Sequence, residues 1–295
     1  MDIKSYLSEK RERIDAFLAS YFDAPLAPAV LGDAMSYSLL AGGKRLRPIL
    51  ALASHEACGG DAEAIVPYAA SLEFIHTYSL IHDDLPAMDN DDLRRGRPTN
   101  HKVFGDAMAI LAGDALLTEA FYLLSNSPGG ARIAPSVRLK VAREIAMASG
   151  AHGMVGGQAE DLLSENAPQD IDSLSFIHTH KTGALITASV RIGGLLAGAG
   201  KKELRSLTHY GEKIGLAFQI IDDILDIQGD TEELGKQTGS DERKNKMTYP
   251  GLYGIETSSR KAQELVDDAL FALRAFGDKA DALREIARYI IRRRN

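Results

Sequence analysis

Two aspartate clusters, far apart in the chain, constrain its fold more than any other feature. The first runs from Asp83 to Asp89 and the second from Asp222 to Asp226, and both lie in otherwise apolar stretches. Adjacent carboxylates repel each other, and burying them is unfavourable unless cations lie between them. The pattern therefore predicts that both clusters face an internal site for hard divalent cations, for which Mg²⁺ is the best match.

Helix-forming patterns run through the whole chain of 295 residues. Apolar residues recur every three or four positions, and we find no alternation typical of strands. No long linker interrupts the pattern. We predict an all-α fold, with about ten helices or more in a single domain over residues 1–295. The polar segment 237–246 is predicted to be a mobile loop.

Composition narrows the class of protein. A net charge of -7 gives no support for nucleic-acid binding, which usually leaves a basic surface. The basic end, Arg292 to Arg294, is interpreted as a solvated helix terminus. The single cysteine, Cys58, excludes an intrachain disulfide and fits a reducing compartment. No apolar run reaches the ~18 residues of a membrane span, so we expect a cytoplasmic protein without one.

The second cluster is predicted to line a cavity from one face of a helix. At about 100° per residue, the segment from Ile214 to Ile227 is apolar over most of its circumference. Such a helix is buried in a bundle. The polar residues share one stripe, which must then face an internal cavity: Gly215, Gln219, Asp222, Asp223 and Asp226.

The first cluster needs a break in its helix. Asp83 shares a helix face with His76 and Ser79, but Asp89 lies six residues on, about 240° round an ideal helix. Pro86 disfavours helical geometry at the residue before it and removes a backbone donor. We therefore predict that the chain bulges there and brings Asp89 back towards Asp83.

Cationic residues follow or precede these clusters. Arg94 and Arg95 come directly after the first cluster, where guanidinium groups suit phosphate, with surface pairing to nearby acids as the alternative. The glycine-led turn 42–48 contains three cations and is interpreted as an anion cradle. In the segment 181–183, the glycine after Lys181 and Thr182 can kink a helix and free a carbonyl. Lys236 follows the second cluster, and taken alone it is interpreted as a surface residue.

Together these residues predict a site for a diphosphate carried by Mg²⁺, with a hydrocarbon tail in the apolar surroundings. Metal and cations would help the diphosphate leave and so generate a carbocation. A second anion site at Lys44, Arg47 and Arg95 would hold another diphosphate, whose double bond attacks that cation.

The chain resembles the bacterial trans-isoprenyl diphosphate synthases over nearly its whole length. The resemblance rests on segments 43–48, 83–89, 94–96, 156–158 with Asp161, 181–183 and 218–226, in this order. It implies the isoprenoid synthase fold, an all-α helical bundle around a central cavity, and a homodimer. The first motif is two residues longer than the family's shorter form, as in the bacterial short-chain subgroup.

The resemblance also implies residue roles. Three Mg²⁺ ions, replaceable by Mn²⁺, would be bound by Asp83, Asp84, Asp89, Asp222 and Asp226, with Asp223 in the same catalytic set. Arg94, Lys181 and Lys236 would hold the allylic diphosphate, from dimethylallyl or geranyl diphosphate. Lys44, Arg47, His76 and Arg95 would hold isopentenyl diphosphate. Thr182 and Gln219 would present oxygens to the allylic cation.

Product length depends on bulk just before the first motif. With a tyrosine at position 78, the chain resembles those members of the family whose product has fifteen carbons. The resemblance therefore implies (2E,6E)-farnesyl diphosphate as the product. A helical wheel instead puts Ser79 one turn, ~5.4 Å, below Asp83. Geranylgeranyl and geranyl diphosphate remain alternative products. A non-catalytic, metal-binding or regulatory partner subunit is a remote alternative.

Overall fold

The computed structural model describes residues 1–24, 26, 28–126, 133–165, 170–228 and 247–293. These residues form an all-α bundle, as predicted. Within them, the strands are β1 (Leu93–Arg94) and β2 (Arg97–Pro98). These strands of two residues each form an antiparallel hairpin, in which Arg94 lies opposite Arg97. The predicted loop at 237–246 lies outside the described residues.

Fourteen α-helices are described in chain order. They are α1 (Ile3–Ser20), α2 (Ala29–Leu39), α3 (Leu46–Ala57), α4 (Val66–Asp83), α5 (Asn100–Phe104), α6 (Asp106–Asn126), α7 (Pro135–Ser149), α8 (Met154–Ser164), α9 (Ile171–Ile177), α10 (Ala184–Leu196), α11 (Lys201–Gln228), α12 (Tyr249–Tyr253), α13 (Ile255–Ala272) and α14 (Asp281–Arg292). Short 3₁₀ helices occupy Ala62–Ile65 and Gly277–Ala280, and a π-helix spans His178–Gly183.

The buried apolar residues form two clusters, and each carries one of the aspartate clusters at its edge. The first cluster surrounds α4, which packs against α1, α2, α3 and α6. The second surrounds α11, which packs against α10, α13 and α14. Helix α4 is buried along most of its length, and α11 is buried mainly from Leu207 onward, where other helices enclose it.

Helices α3 and α10 belong to both clusters and join them. Neighbouring residues of α3, Leu50 and Ala51, face different clusters, and so do Leu185 and Ile186 of α10. The two helices approach closely at Gly193, where a Cβ would lie 2.1 Å from the backbone oxygen of Ala51. This contact requires glycine. The prediction of a single domain over residues 1–295 stays a prediction.

One helix in the described part of the chain, α6, is long and apolar enough to cross a membrane. Length and composition are weak criteria, because a core helix of a bundle meets them too. Helix α6 packs against α4 and α2, and part of its surface is buried there.

Candidate active site

The first aspartate cluster lies at the end of α4 and folds back on itself. The backbone N–H of Asp89 donates to the backbone oxygen of Asp83 at 2.8 Å, and that of Asn90 donates to Leu85 at 3.1 Å. Asn90 adopts a left-handed conformation with φ of 51°. The predicted bulge at Pro86 is therefore present, and it returns Asp89 to the level of Asp83.

Asp84 is held by an arginine from the hairpin. Arg94 donates from Nε to both carboxylate oxygens, at 2.9 and 2.8 Å, and from Nη2 to Oδ1 at 2.6 Å. Burial raises the pKa of the Asp84 carboxyl, and Arg94 opposes that rise. Arg94 thus pairs with a member of the predicted metal site, while Asp92, a candidate surface partner, pairs with Lys102 at 2.6 Å.

Three cationic or basic side chains gather beside this cluster. Arg47 is half-buried, and its buried Nε has no hydrogen-bond partner in the structure. Burial lowers the pKa of Arg47, and Arg95 lowers it further. Burial and the charges of Arg47 and Arg95 hold the pKa of His76 well below its usual value. The carboxylates of Glu73 and Asp222 offset part of this positive charge. The buried Nε of Arg47 still lacks a hydrogen-bond partner, so the group is suited to an anion.

The glycine-led turn that precedes α3 does not present all three of its cations to that anion site. Arg45 adopts φ of 50° and turns inward. It donates to Glu73 at 2.7 Å, to Asp15 at 2.8 Å and to the backbone oxygen of Leu39 at 2.8 Å. The interpretation of Arg45 as part of the cradle is therefore wrong, because the buried Glu73, the partly exposed Asp15 and a carbonyl satisfy its guanidinium. Lys44 of the same turn is exposed.

The π-helix at His178–Gly183 is the kink that the sequence predicted around Gly183. Such a turn breaks the regular hydrogen-bond ladder and is common at functional sites. Lys181 donates to Asp161 of α8 at 2.6 Å. Thr182 donates to the amide oxygen of Gln219 of α11 at 2.8 Å. The turn therefore holds two predicted site residues against two neighbouring helices.

The second aspartate cluster divides into exposed and buried members. The side chain of Asp222 is 41% exposed. Asp223 and Asp226 are buried, at 3% and 4% exposure. Asp223 accepts from the amide nitrogen of Gln219 at 3.0 Å and from the backbone N–H of Tyr249 at 2.9 Å. The predicted polar stripe is present, but its carboxylates do not share one environment.

Arg293, just after α14, is a site residue that the sequence did not identify. Its Nη2 donates to Asp222 at 2.5 Å and to the backbone oxygen of Phe218 at 3.0 Å, and its side chain is 2% exposed. Its guanidinium lies 4.0 Å from the ring centroid of Phe218. The interpretation of this basic end as solvated is therefore wrong for Arg293. No local pattern signals the contact, because 71 residues separate the partners.

Electrostatic coupling links the two sides of the site. The charge of Asp222 on α11 raises the pKa of Arg47 on α3, against the effect of burial. Arg95 of the hairpin acts on the same guanidinium. The side chains from α3, α4, α11 and the hairpin thus share one electrostatic environment. Lys236 lies outside the described residues.

The candidate chain-length residues lie one turn before the first cluster. Tyr78 is buried, and its ring contacts that of His82 edge-on at a centroid distance of 5.8 Å. Burial, together with Asp83, raises the pKa of Tyr78 to about 12. Ser79 donates to the backbone oxygen of His76 at 2.9 Å, so its hydroxyl is engaged within the helix.

Comparison with known proteins places the chain in a family. The polyprenyl synthetase family model matches residues 28–289. The chain belongs to the polyprenyl synthetase family. It is 49% identical over 261 residues to farnesyl diphosphate synthase of Geobacillus stearothermophilus, with 88% of each chain covered. It is 46% identical to geranylgeranyl diphosphate synthase of Cyanophora paradoxa, covering 100% of this chain and 97% of the relative.

Solved structures of similar proteins have the same fold. The FPP/GFPP synthase of Zymomonas mobilis superposes with a TM-score of 0.86 at 41% identity, covering 98% of this chain and 99% of that one. Geranylgeranyl pyrophosphate synthetase of Pyrococcus horikoshii superposes with a TM-score of 0.87 at 32% identity, covering 99% and 100%. These similarities confirm the all-α isoprenoid synthase fold.

Enzymes of the polyprenyl synthetase family use Mg²⁺. In the part of the chain that the structure describes, no three His, Cys, Asp or Glu side chains converge closely enough to hold a metal by themselves. Mg²⁺ is commonly bound by one or two carboxylates together with waters and substrate phosphates. The carboxylates of Asp83, Asp89 and Asp222 supply hard oxygen ligands of this kind, so the donor set fits Mg²⁺ carried with a diphosphate.

Proposed function

We propose that this chain is a Mg²⁺-dependent prenyltransferase that condenses isopentenyl diphosphate first with dimethylallyl diphosphate and then with geranyl diphosphate. The product is (2E,6E)-farnesyl diphosphate. The observation that carries the proposal is that two regions suited to a diphosphate lie next to each other, one acting through metal ions and the other through cationic side chains. One offers carboxylates suited to metal, and the other brings the guanidinium groups of Arg47 and Arg95 together beside His76.

The metal-binding region would take the allylic diphosphate. Asp83, Asp84, Asp89, Asp222 and Asp226 would hold three Mg²⁺ ions, which Mn²⁺ can replace. Bound Mg²⁺ neutralises the diphosphate and stabilises it as a leaving group. Asp84 and Asp222 are engaged by Arg94 and Arg293 in this structure, so their participation requires these pairs to separate or to share the carboxylates.

Cationic side chains would complete the allylic site. The contacts of Arg94 to Asp84 come from Nε and Nη2. Because a guanidinium has five N–H donors, others remain for a phosphate oxygen. Lys181, oriented by Asp161, would bind the same diphosphate, and Lys236 would join them.

The second diphosphate would bind among Lys44, Arg47, His76 and Arg95. Among the described residues, Arg47 and Arg95 form no ion pair, unlike Arg94 and Arg293. A bound diphosphate would offset the electrostatic repulsion between Arg47 and Arg95. A site for a second diphosphate favours a condensing enzyme over a terpene cyclase, which needs one diphosphate substrate.

Bond changes in the reaction follow from this arrangement. The C1–O bond of the allylic substrate breaks, and its electron pair leaves with diphosphate. The double bond of isopentenyl diphosphate attacks C1, forming the new carbon–carbon bond and a tertiary cation. Loss of a proton from the adjacent carbon restores a double bond, and the released diphosphate accepts that proton. The Thr182 hydroxyl and the Gln219 amide supply oxygens that stabilise positive charge during these steps.

The decisive experiment is incubation of the purified chain with dimethylallyl and isopentenyl diphosphates, followed by chromatography of the products. We expect a fifteen-carbon product with Mg²⁺ and none with a chelator. Absence of any condensed product from folded protein would overturn the proposal. Calorimetric binding of both diphosphates without turnover would instead favour the non-catalytic partner subunit.

Product length needs its own test, because solved structures named as synthases of different chain lengths share this fold. Tyr78 is buried one turn before the metal-binding aspartates. We expect Tyr78→Ala to enlarge the hydrocarbon pocket and give products of twenty carbons or more. Ser79→Ala is the matched control, since its hydroxyl donates to the backbone oxygen of His76 in the same helix, and should leave product length unchanged. A twenty-carbon product from the unsubstituted chain would favour geranylgeranyl diphosphate synthase, and a ten-carbon product geranyl diphosphate synthase.

The enzyme is also proposed to act as a cytoplasmic homodimer. Support comes from apolar side chains of α6 that remain exposed in the single chain, Ile110, Leu111 and Tyr122. Burial of such a surface favours association. Sedimentation analysis should give a dimer, and Leu111→Asp should shift it to monomer. A monomeric unsubstituted chain at micromolar concentration would contradict this.

A further inference from the structure

The adjacent residues Asp222 and Asp223 have opposite surroundings. Asp222 is exposed and reaches a cation, Arg293. Asp223 is buried and is surrounded by N–H groups. Its Oδ1 accepts from the amide nitrogen of Gln219, and its Oδ2 accepts from the backbone N–H of Tyr249. The ring nitrogen Nε2 of His178 lies 3.4 Å from the same Oδ2. A carboxylate with these contacts is already bound by groups of the protein, which leaves it less available to a metal ion.

These contacts determine which end of the Gln219 amide faces which neighbour. An ionised carboxylate only accepts hydrogen bonds, so the NH₂ of Gln219 must face Asp223. The amide oxygen then points the other way, where it accepts from the Thr182 hydroxyl at 2.8 Å. Thr182 does not enforce this orientation, because a hydroxyl donates or accepts equally well. Among these partners, the choice between oxygen and nitrogen therefore depends on Asp223.

We propose that Asp223 is a positioning residue that fixes the Gln219 amide with its oxygen, and not its nitrogen, towards the reacting carbon. The inference rests on the proposed prenyl transfer, in which positive charge develops next to Gln219 and Thr182. A carbonyl dipole aimed at that charge stabilises the transition state, and an N–H dipole in its place opposes it. Preorientation matters because the dipole then need not rotate as the charge forms.

The same carboxylate ties other parts of the site to α11. Tyr249 begins α12, and His178 begins the π-helix that carries Lys181 and Thr182. The buried side chain of Asp223 thus contacts both Gln219 and the turn that presents Thr182. Asp222, one residue earlier, has no contact of this kind among the bonds that the structure describes.

The test is Asp223→Asn. The side-chain oxygen of asparagine can still accept from Tyr249, but its NH₂ then meets the NH₂ of Gln219. The Gln219 amide is expected to flip and withdraw its oxygen from the reacting carbon. We expect kcat to fall about 10- to 100-fold, while both KM values and the Mg²⁺ concentration for half-maximal rate change by less than about twofold, because no metal or phosphate contact is lost.

A donor–acceptor exchange separates positioning from a structural role. In the double variant Asp223→Asn with Gln219→Glu, the introduced asparagine amide donates to the introduced glutamate carboxylate, which still accepts from Thr182. We expect the double variant to be at least about tenfold faster than Asp223→Asn, since an oxygen again faces the reacting carbon. Gln219→Glu alone should be the slowest, because two carboxylates then face each other.

The outcomes distinguish this inference from the proposed function. If the unsubstituted chain forms no condensed product, the prenyl-transfer assignment fails first. If it is active and Asp223→Asn keeps its kcat, or if the double variant is no faster than Asp223→Asn, only the positioning role is overturned. A rise in the Mg²⁺ requirement of Asp223→Asn would instead make Asp223 a metal ligand. Should Asp223→Asn not fold, the double variant is compared with Gln219→Leu and should be at least about tenfold faster.

Discussion

The two aspartate clusters differ in backbone conformation, but in both the second aspartate of an adjacent pair is buried. The first is built on a bulge after α4, and the second on the unbroken helix α11. In each, the second aspartate of an adjacent pair is buried and bound by the protein: Asp84 by Arg94, and Asp223 by Gln219 and Tyr249. Adjacent residues on a helix point about 100° apart. Paired aspartates are therefore not interchangeable, because one of each pair is buried and the other is only partly buried.

The clusters differ in what holds the buried carboxylate. Asp84 is bound by a full positive charge from the hairpin, whereas Asp223 is bound mainly by neutral N–H groups. Loss of charge at Asp84 leaves a cation without its partner. Loss of charge at Asp223 leaves the N–H donors of Gln219 and Tyr249, which an amide can partly satisfy. The same substitution should therefore have different consequences in the two clusters.

The largest effect is expected at the site-lining aspartates. Asp83→Asn or Asp222→Asn removes a charge that Mg²⁺ requires, so the rate of Mg²⁺-dependent diphosphate release should fall by at least about 10³-fold. Asp222→Asn should also lower the melting temperature, because the buried Arg293 then loses its charged partner. Asp92→Asn, an exposed acid that pairs with Lys102, is the control and should be close to the unsubstituted chain. Less than about tenfold loss in both variants would remove the basis for two facing metal-binding clusters.

The next effect concerns stability and compares the buried aspartates directly. Asp84→Asn leaves Arg94 without its charged partner and should cost about 2–3 kcal/mol of unfolding free energy, in the range for hydrogen bonds to charged groups. Asp223→Asn keeps the bond to Tyr249 and should cost about 1 kcal/mol. Denaturant unfolding of both variants measures the difference. Equal losses would mean that the charge on Arg94 does not distinguish the clusters.

Much of this site was predictable from the sequence where the deciding interactions are local. Helical periodicity identified the polar stripe of α11, and Pro86 predicted the return of Asp89 to Asp83. The glycine after Thr182 predicted a kink, found as a π-helix. Each of these depends on residues within about two helical turns, over which backbone geometry is nearly fixed by residue type.

What the sequence did not predict depends on distant contacts. Arg45 turns away from the anion site because the buried Glu73 and the partly exposed Asp15 bind its guanidinium. Arg293 reaches Asp222 across 71 residues. The polar stripe of α11 did not show which aspartate is bound by other protein groups, because the partners of Asp223, Tyr249 and His178, come from other elements. Periodicity identifies a face, but the partners of that face are set by tertiary packing.

A smaller effect with the opposite sign is expected at Arg293. Its guanidinium neutralises Asp222 in the structure and so competes with a metal ion for that carboxylate. Arg293→Gln should lower the Mg²⁺ concentration needed to bind inorganic diphosphate by about 3- to 10-fold, measured by calorimetry. It should also lower the melting temperature of the metal-free protein. Arg292→Gln is the matched control from the same helix end. Weaker Mg²⁺ binding in Arg293→Gln would show that the arginine assists the metal site.

The smallest effect is a pH dependence that sets the anion site apart from both clusters. Burial and the charges of Arg47 and Arg95 hold the pKa of His76 well below its usual value of 6.5. As the pH falls below about 6.5, the unfolded chain takes up a proton at this position and the native protein does not, so the free energy of unfolding falls. His76→Asn should therefore lose less stability than the unsubstituted chain between about pH 7.5 and 5.5, measured by denaturant unfolding. His152→Asn, at an exposed position, controls for removal of an imidazole as such. Inorganic diphosphate should bring the stability losses of His76→Asn and of the unsubstituted chain closer together, because an anion beside Arg47 and Arg95 favours protonated His76. An unchanged difference with diphosphate would place the anion away from His76 and restrict the second site to the arginines.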